Sequence, residues 1–177
     1  MSYQITDQTT SLPRRKIVTV FLTCAAVDFV ALIDQNALAV ALPKISSALG
    51  AGDQISWIVV AYFITATSFQ LLYSSLSSIW SRKLVLLTGL GIFFISSLAA
   101  SFVTNITQLI FFRALSGIGG GGLVTLVQII IGDVVSLRER GKWQGILGAV
   151  VALSYGIGPI IGGRITSYSA DSWFVVF

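Results

Sequence analysis

The chain has 177 residues, of which 10% are charged and 55% apolar, with a mean hydropathy of +0.89; a soluble domain carries about 25% charge. That leaves too little polar surface to coat a water-soluble globule, so the composition predicts a chain solvated by lipid. Histidine is absent and Cys24 is the one cysteine, which excludes an intramolecular disulfide, a thiol-built metal cluster and the commonest general base, while the net charge of +4 lies beside apolar runs and makes no nucleic-acid-binding face.

Residues 1–16, which open on Ser, Thr and Gln, read as a disordered cytoplasmic tail. A bilayer core of about 30 Å takes about 20 mostly apolar residues in a helix. The first such run covers residues 17–42. Basic residues ahead of an apolar stretch also outline a secretory leader, but the apolar character continues past Asp28 to Leu42, too long for a leader's core. Pro43 is expected to close this helix. Further spans cover 56–79, 84–102, 106–132 and 142–163, and a sixth begins at Trp173. The fold class is an all-α membrane protein with five transmembrane helices and the start of a sixth.

The loops between spans are short and alternate in charge. Arg14, Arg15 and Lys16 precede the first span, Arg82 and Lys83 lie between the second and third, and Arg138, Arg140 and Lys142 lie between the fourth and fifth. Only Lys44 and Arg164 fall on the opposite side, so the basic bias predicts a cytoplasmic amino terminus. Asn105, Ile106 and Thr107 match a glycosylation acceptor, but the loop is a few residues long and pressed against the membrane, so the match reads as chance.

Ionisable groups inside a span cost about 2.5–3.5 kcal/mol on insertion scales, which makes each a functional candidate. Asp28 and Asp34 in the first span and Arg113 in the fourth are such groups. Asp34, Gln35 and Asn36 are successive, so they fan across the helix and at least one must face a cavity or another helix. Asp34 lies about 12 Å and Arg113 about 10 Å from the outer ends of their spans at 1.5 Å per residue, so the two are expected to meet. Arginine stays charged, so Asp34 must carry the proton if this pair couples transport.

After Arg113 comes a glycine run in which Gly117 and Gly121 form a small-xxx-small pair suited to close helix approach. No strand precedes it and no Gly-Lys-Ser or Gly-Lys-Thr follows, so it is not a phosphate loop. In the fifth span Gly148, Ala152 and Gly156 recur on one face, Gly158 and Gly162 line another, and Pro159 is expected to bend the helix about one turn upstream.

In this order the segments resemble the major facilitator superfamily, and within it the drug:proton antiporters of the 14-span type. "LIDQNALAVALP" is similar to that family's first-helix motif, "RALSGIGGGG" to its fourth-helix motif, and "GIGPIIGG", with Gly156, Gly158, Pro159, Gly162 and Gly163, to its fifth-helix antiporter motif. The resemblance implies a proton as coupling ion, no cofactor, and a role for Arg113 in proton coupling. It also implies that the first and fourth helices line a central cavity, and that residues 17–177 are an incomplete amino-terminal domain of a carrier whose carboxy-terminal half is missing. Between the second and third spans, Ser74, Ser78 and Ser81 stand where the family carries Gly, Asp and Gly, and only Arg82 and Lys83 match. Asp133 is then the expected ionic partner of Arg82 or Lys83.

The expected function is proton-coupled efflux of small organic molecules by a multi-pass protein of the plasma membrane rather than the vacuole, with membrane lipid and a small-molecule substrate as partners and no nucleic acid. Alternatives are a truncated, non-transporting protein that associates with a full-length relative, a small oligomeric carrier, and a vacuolar basic amino acid or siderophore carrier. Catalysis is not expected: Asp28 and Asp34 stand about 120° apart around their helix and cannot act as a paired acid and base.

Overall fold

The computed structural model describes residues 13–50 and 52–168. The first twelve residues of the expected tail and the sixth run from Trp173 lie outside them. Among the described residues five α-helices follow one another: α1 (Arg14–Leu49), α2 (Ile55–Ile79) after a short 3-10 turn, α3 (Arg82–Ser101), α4 (Ile106–Val134) and α5 (Arg140–Tyr168). Each contains a stretch long and apolar enough to cross a membrane. Helix is the expected form, because it satisfies every backbone group within the segment where lipid offers no partner.

Two boundaries differ from the hydropathy reading. Arg14, Arg15 and Lys16 belong to the first turn of α1 rather than to a tail. Pro43 does not close α1; it lies inside it, and the helix ends six residues later at Leu49, capped by Gly50, whose left-handed φ of 59° lets its N–H reach Ser46 O. The cause is packing: Ile45, just past the proline, is fully buried in a cluster with Leu38, Ala41, Ile58, Val103 and Leu109. Burying an isoleucine is worth about 1.5–3 kcal/mol, which offsets much of what a proline costs a helix interior. Asn105, whose match to a glycosylation acceptor reads as chance, is the N-cap of α4, its side chain accepting from Thr107 N at 3.3 Å.

Helix α4 is the centre of the bundle. It packs closely on α2 and on α3, while α1 packs on α5, and a seam between α1 and α4 joins the two groups. A Cβ built at Gly119 would stand 2.6 Å from Phe93 N, so the α3–α4 crossing needs glycine there; Gly117 and Gly121 play the same part toward Tyr62 and Ala66 of α2. The expected small-residue pair therefore brings α4 against α2. Outward-facing side chains such as Leu71, Leu72, Phe94, Ile95 and Ile160 are exposed, as a lipid-facing surface requires.

Candidate functional site

The α1–α4 seam buries charge. Arg113 is 1% exposed and Asp34 9%, and Arg113 Nη1 donates to Asp34 Oδ2 at 2.9 Å. The expected meeting of these residues is direct, made by α1 and α4 crossing at a common depth. One turn of α4 later, Ser116 is tied back to the Arg113 carbonyl at 3.0 Å, and Gly117 lets α2 come close.

Gln35 and Asn36 separate in role. Gln35 Nε2 donates across the seam to the Tyr62 hydroxyl at 2.8 Å, whereas Asn36 Nδ2 donates to its own helix at Leu32 O, 2.7 Å away. Both still line a cleft of about 160 Å³ together with Tyr62, Arg113 and Tyr155, so α1, α2, α4 and α5 all contribute. Side-chain hydrogen bonds cross between the two helix groups at Asp34–Arg113, at Gln35–Tyr62, and near the opposite end of the bundle where Gln144 Nε2 donates to Gln128 Oε1 at 3.2 Å. Sequence reasoning missed Tyr62, Tyr155, Gln128 and Gln144. The one available signal was that a tyrosine in a span needs a partner for its hydroxyl.

Asp28 lies 1% exposed on α1, away from this cleft, and its Oδ1 has no hydrogen-bond partner among the described residues. Cys24, one turn away, is buried among Phe21, Val127, Ile131 and Leu147. The structure brings neither to Asp34.

The α5 glycines divide by face. Gly158 and Gly162 seat α5 on α1: a Cβ on Gly158 would stand 2.6 Å from Asn36 Cβ, and one on Gly162 2.7 Å from Ala37 O. Gly163 leaves ordinary space beside Val40, and Gly148 and Gly156 meet nothing within 4 Å, so that face is open. Pro159 lies within the continuous helix α5. At the other end, Arg82 pairs with Asp133 while Lys83 is exposed. Both pair members are over a third exposed, so the contact adds at most about 1 kcal/mol of stability.

Comparison with known proteins adds an independent observation. Residues 24–177 match the family model of the Major Facilitator Superfamily. The chain is 42% identical over 175 residues to Citrate exporter 1 of Yarrowia lipolytica, which covers 99% of this chain and 26% of that relative. It is 36% identical over 161 residues to Efflux pump dotC of Dothistroma septosporum, covering 91% of this chain and 28% of the pump. With Multidrug transporter protein MdtP of Bacillus subtilis it shares 36% identity over 145 residues, 82% of this chain and 27% of the transporter. The chain thus spans little more than a quarter of the length of these curated relatives.

Proposed function

The chain belongs to the Major Facilitator Superfamily and is a multi-pass integral membrane protein, and on that premise we propose that it supplies five spans of a proton-coupled exporter of small organic molecules. The observation that carries this reading is the buried Asp34–Arg113 pair, whose arginine lines a cleft with Gln35, Asn36, Tyr62 and Tyr155. A charged pair inside a bilayer is costly to keep and, once one partner is neutralised, leaves the other unpaired at about 3–5 kcal/mol. Arginine cannot release its proton, so the pair has one chemical degree of freedom: a proton on the Asp34 carboxylate. Its binding removes the Asp34 countercharge of Arg113 and loosens the ion pair that joins α1 to α4 across the seam. That change is large enough to bias a two-state carrier.

The cleft offers amide and phenol groups from Gln35, Asn36 and Tyr155, which suit a polar or amphipathic organic cargo, and the proton is the only coupling species the reading requires. Export agrees with relatives named as a citrate exporter and an efflux pump, and the reading places it at the plasma membrane. One test reconstitutes the complete carrier in vesicles with an imposed pH gradient and follows citrate and a lipophilic cation as cargoes. Cargo movement is expected to collapse when a protonophore dissipates the gradient; movement that ignores the protonophore refutes proton coupling.

The basic bias supports a cytoplasmic amino terminus. With Cys24 replaced by Ser, Thr104→Cys in the α3–α4 loop is expected to react with an impermeant maleimide in intact cells. Leu137→Cys, on the exposed α4–α5 loop, is expected to react only after permeabilisation. The reverse pattern inverts the topology and with it the direction of transport.

A further inference from the structure

We propose that Tyr62 is a positioning residue for Arg113, its ring face holding the guanidinium while Asp34 carries the proton. This rests on the proton-coupled reading above and extends it to a residue on α2. Arg113 Cζ stands 6.0 Å from the Tyr62 ring centroid, at the limit within which an aromatic face attracts a cation. Tyr62 is 3% and Arg113 1% exposed, and a largely desolvated cation gains most from such a face.

The surroundings fix the ring rather than merely tolerate it. Its hydroxyl accepts from Gln35 Nε2 at 2.8 Å, and the ring makes a T-shaped contact with Phe63 at a centroid distance of 5.8 Å and an interplanar angle of 88°. On α4, a Cβ at Gly117 would strike the Tyr62 backbone oxygen, and one at Gly120 would strike the Tyr62 hydroxyl. Two glycines of the run after Arg113 therefore leave the volume that this tyrosine fills.

The chemistry follows from what changes and what does not. A proton adds to an Asp34 carboxylate oxygen, the ion pair with Arg113 is lost, and no other bond forms or breaks; release of the proton reverses the step. The guanidinium keeps its charge throughout. A second carboxylate in the place of Tyr62 would compete for the same proton and hold Arg113 as firmly as Asp34 does. A π face stays neutral in both states and holds the cation more weakly, so Arg113 remains in place yet free to return to Asp34.

The test uses the complete carrier in vesicles and reads proton-driven transport alongside the amount of folded protein. Tyr62→Phe keeps the ring and loses the Gln35 bond; phenylalanines carrying one, two or three ring fluorines keep the shape and progressively drain the π face. Tyr62→Phe is expected to transport within about three-fold of wild type, and the fluorine series to fall stepwise to about a ten-fold loss. Tyr62→Leu at normal abundance should lose at least as much, and if it does not fold the fluorine series decides alone. Equal transport across that series, or Tyr62→Phe as impaired as Tyr62→Leu, overturns the proposal. Failure of the proton-coupled reading looks different: the wild-type carrier ignores the protonophore or Asp34→Asn transports normally, and either result overturns both.

Discussion

Asp34→Asn in the complete carrier is expected to reduce proton-driven transport to the level of protein-free vesicles, and Arg113→Ala to do the same, by different routes. With Asn at 34 there is no carboxylate to take the proton, while Arg113, 1% exposed, stays charged beside a neutral amide. With Ala at 113 the carboxylate remains, but nothing reports its proton to α4. Removing one member of a buried pair costs about 3–5 kcal/mol, so folding must be measured with transport. Asp34→Asn should be milder than Asp34→Ala, because its amide oxygen still accepts from the guanidinium. The double variant Asp34→Asn with Arg113→Gln removes both charges and is expected to recover most of the stability without recovering transport. Recovery of both together would mean that the pair only holds α1 against α4; normal transport by either single variant would sink the coupling role altogether.

The near agreement in depth of Asp34 and Arg113 could be read from the sequence because a membrane span is a ruler: its length is fixed by the bilayer, and a residue's distance from its end follows from the helical rise. The same ruler located all five spans. It says nothing about which way a helix is turned. Tyr62 is one aromatic among many in apolar spans, and only the glycines of α4 facing it, together with Gln35 on α1, mark it out. Gln128 and Gln144 are sixteen residues apart on different helices, so their contact exists only once α4 and α5 are docked. Pro43 misled for a related reason. A proline's local penalty is visible in sequence, whereas the burial of Ile45 that outweighs it depends on Ile58 and Leu109 arriving from other helices.

The glycines give the second large effect, because the sequence sorts them onto faces but only the structure shows which faces meet a neighbour. A Cβ at Gly121 would lie 2.7 Å from Ala66 Cα and 2.8 Å from Ala66 C, and one at Gly162 would lie 2.9 Å from Ala37 Cα. These neighbours are backbone, which yields only if the helices separate. Overpacking of this kind costs about 1–3 kcal/mol, and the gain of about 1 kcal/mol from replacing a helical glycine by alanine offsets only part of it. Gly121→Ala and Gly162→Ala are therefore expected to lower the unfolding midpoint of the complete carrier in detergent. Gly148→Ala and Gly156→Ala meet open space, keep the helical gain, and are expected to leave the midpoint unchanged or raise it slightly. The two crossings differ in consequence: Gly121 locks α4 to α2 beside the site, so its loss should also slow transport, whereas Gly162 joins α5 to α1. Equal midpoints for all four variants would mean that α4 and α5 do not approach their neighbours this closely. If the open face of α5 meets the second half of the carrier, Gly156→Leu lowers transport and also the midpoint below that of Gly156→Ala; full transport and an unchanged midpoint for Gly156→Leu show instead that this face turns to lipid.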